Sequence, residues 1–224
     1  MFHVTPGRAC PAYPARAAAV LLAAVACLAL TACFRPSPPV HFYILAEAPL
    51  RAVPADTLVN EPRVGPRVGI VPVTLPGYLQ HPQMVVRQGD SVDIRREDYH
   101  RWGEELGEGM SRVLSVAMTN NLADIQGVVM PLRTGAPVDL RVQIEVRRFE
   151  GSPGDEVYLD ALWSVQRDGG TLREGHFTSR RRAGPGMASL VEAQSVLLEE
   201  LGAELAAGVR LVTTEQGREK KTVS

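Results

Sequence analysis

The chain has 224 residues, of which 45% are hydrophobic and 22% charged, and its 24 basic side chains are nearly balanced by 25 acidic ones. This composition is typical of a globular core, and it excludes a disordered chain, a collagen-like fibre, a disulfide-stapled miniprotein and a polytopic membrane protein. Balanced charge also argues against bulk binding of nucleic acid, because neutralising phosphates requires a surplus of Lys and Arg.

The first 32 residues predict a bacterial export signal. They contain two arginines, no Asp or Glu, and an apolar run of about 14 residues that ends at Leu30. This run is too short for a transmembrane helix, which needs about 20 residues, but it has the length of a signal-peptide core. At its end, the residues Leu30-Thr31-Ala32-Cys33 match the lipobox of bacterial lipoproteins.

The cysteine of this lipobox is the predicted lipid anchor. Small residues before it let the peptide enter the signal peptidase in an extended conformation, and its thiol accepts a diacylglycerol. Cys27 lacks this context. We therefore predict that residues 1–32 are a signal peptide, that cleavage occurs between Ala32 and Cys33, and that Cys33 is lipidated. Because each buried methylene contributes about 0.8 kcal/mol, an anchor of two or three acyl chains is effectively permanent.

Two features beside Cys33 predict where the folded part lies. Bacterial sorting retains lipoproteins with Asp after the cysteine in the inner membrane, but Phe34 stands here, so we expect the periplasmic face of the outer membrane. Residues 33–40 form a lipidated tether whose prolines favour a stiff polyproline II conformation. The globular domain is therefore expected close to the bilayer.

Strand and turn patterns follow the tether. Residues 41–46 are aromatic and aliphatic and predict a strand, whereas the proline-rich residues 47–66 predict a loop. Residues 68–75 are apolar in both alternating registers and predict a strand covered on both faces, with Pro72 at an edge or a bulge because proline has no N–H to donate. Short strands are predicted on either side of the turn Gly89-Asp90, at residues 84–88 and 91–95.

Helical and strand periods alternate in the rest of the chain. Residues 98–122 carry apolar side chains every three or four positions, which predicts an amphipathic helix. Strict alternation, in which Trp163 shares the core-facing register, predicts an antiparallel meander of three strands at residues 139–147, 157–165 and 171–181. A second helical period runs from Leu190 to about Val212.

Together these elements predict one α+β domain at residues 41–212. We expect a mainly antiparallel β-sheet with the two amphipathic helices packed on one face. The polar residues 213–224 predict a disordered tail. The strand that contains Pro72 leaves an open edge, so this fold is compatible with a homo-oligomer.

Seven segments follow the lipobox in a characteristic order: residues 42–45, residues 68–79, residues 82–87, Arg101-Trp102 with Leu106, Phe149, residues 159–163 and residues 190–194. In this order they resemble the paraquat-inducible protein C family, the membrane-integrity-associated ABC-type transport auxiliary lipoproteins. The resemblance covers about residues 41–210.

In that family the lipoprotein serves a lipid-transport system. Its MCE-domain protein, similar to paraquat-inducible protein B, forms a tunnel across the periplasm from an inner-membrane permease. The resemblance implies a non-catalytic subunit, anchored in the outer membrane, that docks the tip of the tunnel or receives its phospholipid cargo and so supports envelope integrity. A lipid-binding carrier is the alternative, and it requires an apolar cavity of several hundred cubic ångströms.

Two groups of residues are candidates for contact with a partner or a lipid. Trp102, at the start of the first predicted helix, and Tyr78 are aromatic residues of the kind enriched at binding hot spots. The guanidinium groups of Arg180, Arg181 and Arg182 suit lipid phosphates or an acidic partner through their bidentate geometry. A solvated strand end is the alternative for these arginines.

Catalysis and metal binding find little support in the sequence. Gly89-Asp90-Ser91 is similar to the start of a lipase-like hydrolase motif, but that family continues with Leu rather than Val92, and the chain has no Asp-x-x-His to orient a base. A β-turn accounts for these residues. The histidines after the signal peptide are dispersed. We therefore predict no enzyme, metal or cofactor, and an envelope hydrolase is the third hypothesis.

Overall fold

In the computed structural model, which describes residues 38–50, 65–132 and 136–223, the chain forms eight β-strands and two α-helices. The strands are β1 (His41–Tyr43), β2 (Arg67–Ile70), β3 (Gln83–Val86), β4 (Arg95–Trp102), β5 (Val128–Pro131), β6 (Leu140–Gly151), β7 (Glu156–Arg167) and β8 (Gly170–Arg182). The helices are α1 (Leu106–Asn121), between β4 and β5, and α2 (Met187–Val223), after β8. The predicted cleavage site at Ala32 and the predicted lipid anchor at Cys33 lie outside the described residues.

The strand β6 is the hub of the sheet. Its strictly alternating sequence turns four aliphatic side chains, at most 2% exposed, toward the core: Leu140, Val142, Ile144 and Val146. One edge of β6 pairs antiparallel with β7 along nearly its whole length, and β7 pairs antiparallel with β8. This is the predicted meander.

The other edge of β6 carries two separate arms. The β2 arm consists of β2, which pairs parallel with the start of β6 at Val68↔Leu140, and of β5, which pairs parallel with β2. The β3 arm begins where β3 meets the end of β6 at Val86↔Gly151, and it continues through β4 and β1. The two arms therefore diverge along a single strand.

These arms correct the predicted topology. The α+β class and the single domain are confirmed, but the sheet is mixed rather than mainly antiparallel, because four of its seven strand pairings between described residues are parallel. Parallel partners are distant in sequence, and alternation within one segment does not reveal their direction. The strand β5 was not predicted at all, although its apolar residues follow Gly127.

The backbone around Pro72 forms a bulge between the two arms. The strand β2 ends at Ile70 and lies between β5 and β6, so it is not an edge. The N–H groups of Val71 and Thr74 still donate to carbonyls of β6 at 2.9 and 3.0 Å, and Pro72 stands between them. The predicted bulge at this proline is therefore confirmed, and the predicted edge is wrong.

The first helix begins later than predicted. Residues 98–102 belong to β4, which pairs with β3 on one side and β1 on the other, and α1 starts at Leu106. Trp102 accordingly ends a strand instead of opening a helix. The apolar side chains that carry the helical period begin only at Leu106, so the residues before it contributed no helical signal.

Both helices cover the apolar face of the sheet. The helix α1 packs against β5 and α2, and α2 packs against the meander. The helix α2 continues to Val223, past the predicted end of the helical period at about Val212. The apolar period stops at Val212 while helix-forming residues continue, and the hydroxyls of Thr213 and Thr214 donate to helix carbonyls four residues earlier, at 2.9 and 2.8 Å. In the described part of the chain, no helix is both long and apolar enough to cross a membrane.

Trp163 packs tightly in the core, as its place in the alternating register predicted. Its indole lies between β8 and α2, and it is 5% exposed. A methyl group built on Gly175 would stand 2.5 Å from the indole, and one built on Gly208 would stand 2.8 Å from it. Glycine is therefore required on both sides of the ring.

Gly175→Ala should destabilise the domain by about 1–3 kcal/mol, because the added methyl group overpacks the indole of Trp163. Gly170→Ala on the same strand is the control, since its methyl group would meet only the carbonyl oxygen of Arg167 at 3.5 Å. Urea unfolding followed by tryptophan fluorescence measures both variants. Equal stability of the two variants would contradict this packing.

Candidate partner-binding surface

A cleft opens where the two arms of the sheet diverge. It encloses about 820 Å³ and is bounded by residues 72–75 after β2, residues 79–82 before β3, and residues 102–107 between β4 and α1. Its apolar floor consists of Leu75, Leu79 and Leu106, all buried. The cleft exists because the bulge at Pro72 and the start of α1 keep the arms apart.

A second concavity continues this cleft around the start of α1. It encloses about 460 Å³, shares Val73 and Gly107 with the first cleft, and extends to Pro131 and Leu132 at the end of β5. The helix approaches closely here, since a methyl group on Gly107 would stand 3.3 Å from the carbonyl oxygen of Val73. We call the two concavities together the α1 furrow.

Trp102 forms one wall of the α1 furrow. It is only 7% exposed, and its backbone N–H donates to the carbonyl oxygen of Pro82 at 2.7 Å. The next N–H, of Gly103, donates to the carbonyl oxygen of Tyr43 at 2.8 Å. These two hydrogen bonds fix the backbone at Trp102, and the indole is too buried to protrude toward a ligand.

Carboxylates line the rim of the α1 furrow at the start of the helix. Arg112 forms an ion pair with Glu104 and a second one with Glu47. The hydrogen bond from Arg112 to Glu104 makes the largest contribution to raising the pKa of Arg112, and the hydrogen bond to Glu47 raises it further. Glu105 and Glu108 are exposed, and within the described ranges their side chains have no hydrogen-bond or ion-pair partner. The furrow thus combines an apolar floor with two exposed carboxylates.

Tyr78 belongs to a buried ionic cluster. Its hydroxyl donates to Oε2 of Glu150 at 2.6 Å, and Oε1 of that fully buried carboxylate lies 2.9 Å from Nε of both Arg87 and Arg148. Burial, followed by the hydrogen bond to Glu150, raises the pKa of Tyr78 above its ordinary value. The hydroxyl therefore stays protonated and donating at physiological pH. We call these four residues the Glu150 cluster.

The Glu150 cluster joins the β3 arm to β6. Between described residues, the ladder of β3 and β6 consists of one register pair, and Arg87 at the end of β3 reaches across it to Glu150 near the end of β6. Arg148 extends the cluster to Asp90 in the loop after β3, at 3.2 Å, and stacks over the ring of Tyr158 at 4.4 Å. Burial lowers the pKa of Arg148, but its hydrogen bonds to Glu150 and Asp90 outweigh this effect, so the pKa is raised overall. The cluster positions the arm that carries Trp102.

Arg180, Arg181 and Arg182 do not converge on one site. Arg180 donates to Glu156 on β7 at 3.3 Å, whereas the guanidinium of Arg181 lies 3.7 Å from Glu200 on α2. Successive side chains of a strand point to opposite faces, which separates these two groups. All three arginines are exposed at the end of β8.

The Gly-Asp-Ser sequence forms a turn between β3 and β4, as predicted. Gly89 has a φ of 54°, and the hydroxyl of Ser91 accepts the N–H of Asp93 at 3.1 Å. His176 pairs with Asp160 on the meander, at 3.0 Å. Across residues 38–50, 65–132 and 136–223, no group of three or more His, Cys, Asp or Glu side chains could hold a metal ion.

The sequence patterns did not predict the buried position of Glu150 or the position of Glu105 beside the cleft. Glu150 follows Phe149 in an alternating strand, where a polar residue ordinarily faces solvent, but it is buried where the side chains of Tyr78, Arg87 and Arg148 meet its carboxylate. Glu105, just before α1, is exposed. Its place beside an apolar floor depends on the divergence of the arms, for which the sequence carries no local signal.

Glu150→Gln should cost about 3 kcal/mol of folding stability, because it leaves two partly buried guanidinium groups without their carboxylate. Amide hydrogen exchange should accelerate more in β3 and β4 than in β7, where only the loss of global stability acts. Glu145→Gln, an exposed carboxylate on the same strand, is the control and should change stability by less than about 0.5 kcal/mol. Uniform acceleration across the sheet would show that the cluster does not hold the β3 arm in particular.

The comparisons with known proteins agree with this fold. A family model described as the ABC-type transport auxiliary lipoprotein component matches residues 45–206. A crystal structure described as an uncharacterized protein has 16% sequence identity and a TM-score of 0.62, with 77% of this chain and 99% of that chain covered. The structure of XCC0632 from Xanthomonas campestris, of the DUF330 family, has 16% identity and a TM-score of 0.60, with coverages of 80% and 99%. Comparison with curated proteins found no match.

Proposed function

The chain belongs to the family of ABC-type transport auxiliary lipoproteins, and from this membership we propose that it is the lipoprotein subunit of an MCE-type lipid transport system. It is anchored on the periplasmic face of the outer membrane and supports envelope integrity by docking the MCE tunnel protein. The family is one of transport auxiliaries and not of enzymes. The observation that carries the proposal is the family match over most of the domain.

The lipobox supports the proposed location. Acylation of Cys33 gives the mature protein a permanent anchor, and Phe34 directs the anchored protein to the outer membrane by the sorting rule. An MCE tunnel that starts at an inner-membrane permease must end near this membrane. A lipoprotein of the inner leaflet therefore stands where the tunnel tip arrives.

The α1 furrow is the proposed docking site for the tunnel protein. Its apolar floor offers a pocket for an anchoring side chain, and the exposed carboxylates of Glu105 and Glu108 favour a partner segment with Lys or Arg beside that anchor. Trp102 contributes the wall against which the segment packs. Tyr78 acts through the Glu150 cluster, by holding the β3 arm in place.

The carrier hypothesis has one observation in its favour. The volume of the cleft, about 820 Å³, lies within the range of ligand pockets. However, the carboxylates on the rim would face the phosphate of a phospholipid and repel it. The same charges attract a basic protein segment, so the furrow suits docking better than lipid carriage.

Lipidation is tested first. In cells fed radiolabelled palmitate, the wild-type protein should take up label, and Cys33→Ser should remain unlabelled and uncleaved, because the thiol is the acceptor of the diacylglycerol. Cys27→Ser is the control and should be processed normally. Label on the Cys33→Ser protein, or a wild-type protein whose residue 33 is unmodified by mass spectrometry, would contradict the anchor.

Docking is tested with a purified MCE tunnel protein from the same envelope and the mature chain carrying Cys33→Ser. Glu105→Lys/Glu108→Lys should weaken binding at least about tenfold, which corresponds to 1.4 kcal/mol, because like charges then meet at the rim. Glu192→Lys/Glu199→Lys on α2 changes the net charge equally and should leave binding unchanged. If the Cys33→Ser chain without any glutamate substitution does not bind the tunnel protein, the proposed function is wrong.

A further inference from the structure

An apolar face is exposed at the edge of the β3 arm. Val40, Phe42 and Ile44 occupy alternate positions of the extended segment around β1 and are 40%, 67% and 61% exposed. Alternate residues of a strand share one face. A methyl group on Gly103 would stand 3.2 Å from Cγ2 of Ile44 and 4.0 Å from Cβ of Phe42, which confirms that these two side chains lie on the same side.

The neighbouring strand β4 extends this face with an aromatic and a cationic side chain. The parallel register pairs Phe42 with Arg101, and its continuation places Val40 beside Tyr99, which is 42% exposed. Within the described ranges, no carboxylate pairs with Arg101, a partly exposed side chain whose buried Nε atom has no hydrogen-bond partner. We call these five residues the β1 face. The opposite side of β1 is occupied, since the hydroxyl of Tyr43 and Nδ1 of His100 lie 3.0 Å apart.

The chain length before Val40 restricts what this face can meet. Six residues separate Val40 from Cys33, so at about 3.1–3.6 Å per residue Val40 lies within about 25 Å of the anchor. The β1 face therefore begins within reach of the lipid leaflet that holds the acyl chains. Aliphatic and aromatic side chains next to an unpaired arginine match the boundary between acyl chains and phosphates.

We propose that the β1 face docks on the phospholipid surface and fixes the orientation of the domain on the membrane. Phe42 and Ile44 insert at the boundary of the acyl chains, and Arg101 contacts lipid phosphates. This inference rests on the proposed lipidation of Cys33. It assigns the domain a second membrane contact, made by the folded protein itself, and it leaves the α1 furrow free for a protein partner.

Depth-dependent quenching tests the proposal independently of lipidation in cells. The mature chain, residues 33–224, is coupled through the thiol of Cys33 to a maleimide lipid in vesicles of phosphatidylethanolamine and phosphatidylglycerol. A tryptophan introduced as Phe42→Trp should lose about half its fluorescence to lipids brominated near the top of the acyl chain, because interfacial segments insert about 5–10 Å. Both native tryptophans are at most 7% exposed and provide the background.

The control is Leu162→Trp, an exposed apolar position on β7 among polar neighbours, which should not be quenched. Equal quenching of both variants, or none at position 42, would overturn the proposal. If the β1 face instead binds a second copy of this chain, the tryptophan at position 42 should not be quenched by lipid. Sedimentation should then detect oligomers of the wild-type protein and monomers of the Phe42→Ser variant. If quenching occurs but the chain fails to bind the MCE tunnel protein, the proposed function falls and the membrane contact stands.

Discussion

The buried carboxylate of Glu150 is the interaction on which the candidate surfaces depend. The β2 arm is tied to β6 by a continuous parallel ladder, but the β3 arm meets β6 at one register pair between described residues. Side chains must therefore hold that arm, and Arg87, Arg148 and Tyr78 do so by converging on one fully buried side chain. A buried charge without these partners would be strongly destabilising, so the cluster forms as a unit or not at all.

Two surfaces with different chemistry result from this arrangement. Where the arms diverge, the α1 furrow combines an apolar floor with the exposed carboxylates of Glu105 and Glu108. At the outer edge of the β3 arm, the exposed ring of Phe42 lies beside Arg101. One surface thus suits a basic protein segment and the other suits phospholipid.

Local patterns in the sequence were sufficient to predict much of the fold. Alternation predicted the meander and the buried Trp163, and helical periods predicted both helices, because these signals arise within one segment. The parallel pairings of β1, β2 and β5, and the burial of Glu150, depend on contacts between distant residues, which no local period encodes. The order of the seven sequence segments predicted the family correctly, whereas composition and periodicity alone did not identify it.

Photo-crosslinking in living cells tests the central claim most directly. With a photo-reactive amino acid in place of Glu105, illumination should link the anchored lipoprotein to an MCE-domain protein, and the same probe in place of Glu192 on α2 should give no such product. This result would locate the docked partner at the α1 furrow of the mature, membrane-bound protein. Crosslinks to the MCE protein from position 192 but not from position 105 would contradict the account, as would products from neither position while the two proteins co-purify.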